Sequence, residues 1–479
     1  MVGGEFLSEP DPSMPETLPV HVPATTVARL RAEARTERAL SAPLPPGELS
    51  FSLRRGRRML EDPLGLLLHC HRRYGPVFSL RLLTLPTVWM IGAEANHFLT
   101  VSGRDHVSWR DGLMGEMIPL IGDGLLTTDG EAHDRARRLI QPVFSRRALE
   151  GQITLMVQEV DAALAALGPT PGTVDIYAWT RRLALGIALR GLFGLPADAA
   201  RRERLGDSFE AGLGFFYHQQ WTQMLRGPGS PWARMVAQRR RLVALIDEEI
   251  ARRRREGAAG EDVLSRLIAA GEAGADRLSD TEICDQVLTL LFAGHDTTTS
   301  TVSFLLYELA RHPRELEHLL AEIDGAPCGP EALFDGLPHL EAVLAETLRL
   351  YPAAWWGPRR VRTSFDFAGH TVPAGAMVQY SSWVTHRLPE LFPDPEAFLP
   401  DRFLSGAVAA LPVGAYAPFG AGPRICVGKR FGELEIKVIL LRLLARYRPE
   451  LAAGYRLGIR QAPTLSPREG MPVRLLPRD

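Results

Sequence analysis

The chain reads as a mainly α-helical protein with a small β region, organised as one domain. Three observations predict this. Apolar residues recur at helical spacing through the middle of the chain, over Leu149 to Leu167, Thr180 to Leu192 and Ala233 to Glu256. Runs of strand-forming residues are short and few, and after residue 60 there is neither an internal repeat nor a low-complexity linker to divide the 479 residues.

Composition bounds the function as well as the fold. With 46% hydrophobic and 23% charged residues the chain can bury a large core, which excludes a mostly disordered protein. A net charge of -1 gives no overall attraction to nucleic acid. The four cysteines, Cys70, Cys284, Cys328 and Cys426, are scattered, with no Cys-x-x-Cys pair, which fits a reducing, cytoplasmic setting. Residues 1–46 are polar and rich in proline, alanine and arginine, without a signal-peptide core or the ~20 apolar residues of a membrane span. We therefore expect a flexible N-terminal segment over 1–46, one domain over 47–479, and no membrane anchor.

The elements follow in order. Val77 to Leu80 and Thr87 to Ile91, around Pro86, predict a hairpin. The arginines at 239–241 and 252–255, with Asp247, Glu248 and Glu249 between them, predict a solvated helix face. Ser279-Asp-Thr-Glu282 matches a capping box, and no proline follows until His312-Pro313, giving a helix of roughly 33 residues, or ~50 Å. Pro338 opens a further amphipathic helix that Pro352 stops. Phe365 to Tyr380, broken by Gly369, Pro373 and Gly375, predicts short strands, and a last helix runs from about Val427 to Tyr447.

The sharpest chemical feature is Phe419-Gly-Ala-Gly-Pro-Arg-Ile-Cys426-Val-Gly428. Glycines let this backbone approach a flat cofactor, and a helix N-terminus with Arg424 nearby is expected to favour the thiolate of Cys426, the form that binds iron. A small buried cysteine beside a loop is the plain alternative. Gly294, inside the long helix, costs roughly 1 kcal/mol relative to alanine, so something should require close backbone there. The hydroxyls of Thr297, Thr298 and Thr299 have the competing option of bonding to carbonyls one turn back. His133 and Arg137, four apart, project from one helix face as two donors suited to a carboxylate, and Glu346 and Arg349 share a face as an ion pair.

Phe419, Gly422, Arg424, Cys426 and Gly428 resemble the cysteine-loop signature of the cytochrome P450 superfamily. Two further stretches fit that resemblance. Glu346-x-x-Arg349 stands upstream of Pro400-Asp-Arg402-Phe403, like the family's structural triad of Glu346, Arg349 and Arg402, and Ala293-Gly-His-Asp296-Thr297-Thr298 lies midway along the long helix. The likeness runs from about Asp62 through Arg474. It implies a triangular-prism domain holding heme b (iron protoporphyrin IX) between the long helix and the cysteine loop, with Cys426 as the iron ligand. Phe419, His133, Arg137, Arg360 and Arg424 would contact the heme, the cations at its propionates. Arg359 and Arg362 flank Arg360. Histidine stands at 133 where the family often has tryptophan.

The activity so implied is reductive activation of dioxygen, in which two electrons and two protons leave one oxygen atom in a substrate C–H bond and the other in water. Asp296 and Thr297 would govern proton arrival. No glycine-rich dinucleotide fingerprint is present, so electrons are expected from a ferredoxin or flavodoxin with its reductase, docking near Lys429, Arg430 and Lys437 on a monomer. The substrate is expected to be lipophilic: a fatty acid, steroid, terpenoid or polyketide. Its walls by family position include Trp109, the aromatic stretch Phe215 to Trp221 with Phe216, Leu290, Ala293, Ala354, Trp355, Trp356, Thr464 and Leu465. A peroxide-using peroxygenase or isomerase on the same fold is the alternative, against which Asp296 and Thr297 argue. A non-catalytic heme-binding carrier or sensor is a second. A zinc hydrolase lacks its His-Glu-x-x-His helix here.

Overall fold

Both halves of the capping box form. The Ser279 hydroxyl accepts from the Glu282 amide at 3.2 Å, and the Glu282 carboxylate accepts from the Ser279 amide at 2.8 Å. From this cap one helix runs Asp280–Arg311 and stops at His312, before Pro313. In this computed structural model, residues 25–478 are described except 195–198, 218–222, 224, 258–259, 261, 273–277, 327–332 and 335. Cys328 and Trp221 lie outside the described residues.

The long helix is buried along nearly its whole length because other elements pack on every side of it. Helices Ile176–Ile187, Pro231–Glu256, Pro338–Leu350 and Lys429–Leu444 all touch it. The expected N-terminus of the last helix, Val427, falls in the turn before it, and its end at Leu444 is earlier than Tyr447, which opens a strand instead. The chain is thus a helical body with one principal apolar core, Leu67, Leu288, Phe304 and Leu440 among its fully buried members.

The β region is peripheral. Six strands pair in the spatial order Gly47–Glu48, Val77–Leu82, Leu85–Met90, Met377–Tyr380, Gly357–Val361 and Val107–Ser108. The predicted hairpin is the pair Val77–Leu82 and Leu85–Met90; Pro86 sits second in its strand, beside the turn, where a missing N–H costs least. A three-stranded sheet joins Tyr447–Leu451, Pro472–Pro477 and Gly172–Asp175.

Within the segment 1–46, Thr26–Arg38 is a docked helix capped by Thr25, and its Arg29 reaches Glu116 at 2.9 Å while Glu37 pairs with Arg81. One expectation is corrected: the arginine-rich helix Pro231–Glu256 is not a wholly solvated face. Arg239 is buried and donates to Asp285 at 2.7 Å, and buried Arg253 reaches Glu249 at 2.8 Å and Asp262 at 2.7 Å. Charges can be interior when a partner at hydrogen-bonding distance replaces their water. Among the described residues Cys70, Cys284 and Cys426 are free, and no helix is long and apolar enough to cross a membrane.

Candidate active site

The cysteine loop folds as it does because two of its residues must be glycine. Gly420 and Gly422 have φ of 70° and 64°, and a Cβ at Gly422 would stand 2.5 Å from the Thr100 carbonyl oxygen. The Cys426 amide closes the loop on the Phe419 carbonyl at 3.0 Å, and Arg137 donates to the Ile425 carbonyl at 2.8 Å. Cys426 is set deep in the protein and yet exposes its side chain, so the exposed area faces an internal hollow.

The electrostatics of this thiol differ from expectation. Burial raises its pKa, and the Gly428 amide directed at the sulfur, with the charges of Arg137 and Lys429, offsets this only in part. Arg424 gives no help at the sulfur because it turns away to the Thr128 carbonyl and, at 2.7 Å, to Asp129. The protein alone therefore favours the thiol, and a coordinated metal would be what deprotonates it.

The middle of the long helix packs on the helix that follows Cys426 and presents small residues there. Ala293 is exposed between the buried Phe292 and the half-buried Gly294, and a Cβ on Gly294 would meet nothing within 4 Å. Thr297, one turn on, is half-buried and donates to the Ala293 carbonyl at 2.7 Å, the local bond that competes with any other use of its proton. Thr299 does the same to His295 at 2.8 Å. Thr298 instead reaches across to Glu435 of the last helix at 3.0 Å, and Gly432 packs beside it, with its would-be Cβ 3.9 Å from the Thr298 hydroxyl. This contact ties the cysteine helix to the long helix one residue from Thr297.

Asp296 does not share Thr297's face of the helix. It is fully buried, and its carboxylate accepts from Tyr177 at 3.2 Å, from Tyr217 at 3.1 Å and from Thr464. Adjacent residues on a helix point about 100° apart, and here that difference sends the acid into a polar network. Arg460 donates to Tyr177 at 2.9 Å, Arg181 donates to Tyr217 at 2.6 Å, and Arg181 also lies 3.4 Å from Glu210, whose side chain is 38% exposed. A continuous polar chain, Glu210, Arg181, Tyr217, Asp296, thus runs from the surface to the residue beside Thr297. Tyr177, Tyr217, Arg181, Arg460 and Glu210 carried no sequence motif, being scattered over three elements.

The cationic edge of the site corrects one assignment. Arg360 points away: it donates to the carbonyls of Asp111 at 3.2 Å and Gly375 at 3.0 Å. Arg359 is the arginine of strand Gly357–Val361 that faces the loop, buried with its guanidinium 3.4 Å over the Trp109 ring, and Arg424 stands 5.2 Å from the same ring. Alternate strand residues face opposite ways, so a one-residue error in sequence reverses the side. No carboxylate lies within salt-bridge distance of Arg359 among the described residues; burial, and then Arg424 among the charges that oppose it, lower its pKa to about 10. Buried His133 lies beside Arg424, and burial and that charge lower its pKa too. Trp109, expected as a substrate wall, is instead the plate between these two cations.

An exposed thiol in a glycine loop, an exposed small-residue stretch at Ala293 and Gly294 on the long helix, and a buried and a half-buried guanidinium on either side of Trp109 fit a flat, dianionic iron porphyrin. Cys426 would ligate the iron, and Arg359, Arg424 and His133 would hold the propionates. Arg137 is bound to the loop backbone and reads as a clamp on the loop.

The triad assembles. Glu346 and Arg349 are fully buried and paired at 2.7 and 2.8 Å; Arg349 further donates to the carbonyls of His386, Pro395 and Ala397 at 3.0, 2.7 and 2.9 Å. Glu346 accepts from the Leu399 amide at 2.9 Å and lies 3.5 Å from Arg402. His386 carries the clamp onward: its Nε2 accepts from the Ala417 amide at 3.0 Å, two residues before Phe419, and burial, lowering its pKa to about 3, keeps it neutral. Of the expected substrate walls, Ala293 and Ala354 expose area. Phe216, Leu290, Thr464 and Leu465 are buried, while Trp355 and Trp356 stack on Trp89 at 6.2 and 6.4 Å.

Comparison with known proteins agrees with this geometry. The family described as Cytochrome P450 matches residues 45–460. The chain is 34% identical over 348 residues to the cyclooctat-9-en-7-ol 5-monooxygenase of Streptomyces melanosporofaciens, covering 71% of this chain and 75% of that one. It is 32% identical over 334 residues to the pentalenene oxygenase of Streptomyces avermitilis, covering 69% and 74%. The structure of a retinoic acid-bound cyanobacterial CYP120A1 superposes with a TM-score of 0.81 at 29% identity, over 91% of this chain and all of that one, 100%. With sequence, fold and cysteine loop in agreement, the chain belongs to the cytochrome P450 family of monooxygenases.

Proposed function

We propose that the protein is a cytoplasmic, monomeric monooxygenase, one domain over residues 47–479, that binds heme b through Cys426. Two externally supplied electrons, two protons and dioxygen would place one oxygen atom in a lipophilic substrate and release the other as water. The observation that carries this reading is the exposed Cys426 thiol in the glycine loop that also carries the half-buried Arg424, with the buried Arg359 across the Trp109 ring from it. When bound, the heme supplies the oxygen chemistry, and the cysteine sulfur pushes electron density toward O–O cleavage.

The residues of the chain do the rest. Arg359, Arg424 and His133 would orient the porphyrin by its carboxylates. Asp296, held by hydrogen bonds from Tyr177 and Tyr217, would pass protons toward Thr297, whose hydroxyl donates to the Ala293 carbonyl; Arg181, always charged, would orient Tyr217 rather than relay a proton. Electrons would arrive at the opposite side, where a depression of about 500 Å³ lies beside the cysteine loop, lined by Arg146, Lys429, Arg430 and Phe419 among others. An acidic ferredoxin or flavodoxin fits Arg146, Lys429 and Arg430. Lys437 also lines the depression, but its charge is mostly buried and paired with Glu341, which leaves it less available to a partner.

For the substrate, relatives named for pentalenene and cyclooctat-9-en-7-ol support a terpenoid over a fatty acid. The test is direct: reduced, heme-loaded protein exposed to carbon monoxide should show the red-shifted absorption of a thiolate complex, and Cys426→Ser should abolish it. Product should then form from terpenoids with a reduced ferredoxin. Turnover with peroxide alone would replace the reading with a peroxygenase, and spectral binding without any product would make it a carrier.

A further inference from the structure

A second cluster of ligating side chains lies outside the heme site. Helix Pro313–Gly325 carries Glu315-Leu-Glu-His318, and a spacing of three places Glu315 and His318 on one face. Against that face stands His339, second residue of helix Pro338–Leu350. The three side chains offer donor atoms that all lie within 4.8 Å of one another.

The placement of His339 is fixed rather than incidental. Glu322, two turns beyond Glu315, accepts from the His339 and Leu340 amides at 2.7 and 2.9 Å, clamping the start of the second helix onto the first. The His339 ring then sits 5.6 Å from the His318 ring, with its Nε2 3.5 Å from the Glu315 carboxylate and 3.2 Å from the Glu315 carbonyl. His339 and Glu315 side chains are 13% and 25% exposed, and His318 is exposed, so an ion could enter from solvent.

We propose that Glu315, His318 and His339 form a binding site for a divalent transition metal ion. Two imidazoles and one carboxylate select zinc, nickel, cobalt or copper over magnesium or calcium, which take oxygen ligands. A Glu-x-x-His pair on one helix facing a ligand on its neighbour is an arrangement by which helix bundles hold metals. Three protein ligands leave a coordination position for water. The ion would cross-link the Pro313–Gly325 helix to the helix that carries Glu346 and Arg349, and so stiffen the support of the cysteine loop without touching the heme.

Titration calorimetry of EDTA-stripped, heme-loaded protein with zinc chloride tests this. One ion should bind per chain, with a dissociation constant below about 100 µM, and the melting temperature should rise with zinc concentration. His318→Ala, on an exposed position that leaves the fold intact, and His339→Ala should each weaken binding by more than on the order of tenfold, whereas His370→Ala should not. With cupric ion in place of zinc, the electron paramagnetic resonance spectrum should carry splitting from imidazole nitrogen that both histidine variants remove. Absence of stoichiometric binding, or binding unchanged in His318→Ala, would overturn the assignment. Because the carbon monoxide spectrum reads the heme site alone, failure here leaves that site's reading intact.

Discussion

The two walls of the hollow are held by different physics. On the cysteine side, polar side chains, most of them buried, grip backbone: Arg349 holds three carbonyls, Glu346 holds the Leu399 amide, neutral His386 holds the Ala417 amide and half-buried Arg137 holds the Ile425 carbonyl. On the long-helix side, apolar side chains pack the body, threonines bond to their own helix, and a cluster of hydroxyls surrounds Asp296. A clamp on a specific carbonyl tolerates few residue types, whereas packing tolerates many. Hence a substitution at a clamp of the cysteine wall should cost more than one in the packed part of the opposite wall.

The largest effect should come from breaking a clamp. Glu346→Ala would strip the buried Arg349 of its carboxylate, and removing one partner of a buried pair costs about 3–5 kcal/mol, a large share of the ~5–15 kcal/mol that stabilises a domain. Little heme-loaded protein should accumulate, and its urea midpoint should fall sharply. An unshifted midpoint would mean that the carbonyls alone suffice for Arg349 and that the two walls do not differ in this way.

Next is the acid of the other wall. Asp296→Asn keeps its Oδ1 as acceptor for Tyr177 and Tyr217 and turns an N–H toward the Thr464 hydroxyl, which can rotate to accept it, but cannot carry a proton, so turnover should fall on the order of 100-fold while heme and substrate spectra stay unchanged. Tyr217→Phe, which removes one of the hydrogen bonds that hold the Asp296 carboxylate, should slow turnover less. Equal loss of substrate binding in both variants would instead make Asp296 a packing residue.

How much of this was legible follows from the same contrast. Cys426, the glycines of its loop, the Glu346 and Arg349 pair and the capped long helix could be read because each rests on local sequence: a positive φ, a spacing of three, a cap before an uninterrupted apolar run. Arg359 was missed in favour of Arg360 because strand parity depends on register, which is set by pairing Arg359 with Val378 across the sheet. The partners of Asp296 were invisible because Tyr177 and Thr464 meet it from 119 and 168 residues away. The buried arginines of the Pro231–Glu256 helix looked solvated since the sequence does not show that Asp285 and Asp262 come to meet them.

A smaller effect separates the two neighbouring arginines. Arg359→Leu should release heme to a scavenger protein on the order of tenfold faster, the loss of one charge-assisted hydrogen bond of about 1.5–3 kcal/mol being partly recovered by Arg424 and His133. Arg360→Leu should leave the release rate near that of the parent. The reverse ranking would restore Arg360 as the propionate ligand and put the strand in the other register.

The smallest effect lies where the walls join. Glu435 is fully buried, with one carboxyl oxygen bonded to Thr298 at 3.0 Å and the other without a partner, and burial raises its pKa from 4.5 to about 8. A folded state that holds its proton to higher pH than the unfolded chain is favoured most when both are protonated. The contribution is therefore complete below pH 4.5, declines as pH rises toward about 8, and is lost above that value. Glu435→Gln keeps the acceptor for Thr298 and cannot ionise. Between pH 6 and pH 9 the melting temperature of the parent should drop relative to the variant by about 2–4 °C. A constant gap would mean that Glu435 is already ionised at neutral pH, so that the seam between the cysteine helix and the long helix is held by a charge, as the cysteine wall is, and not by a neutral hydrogen bond.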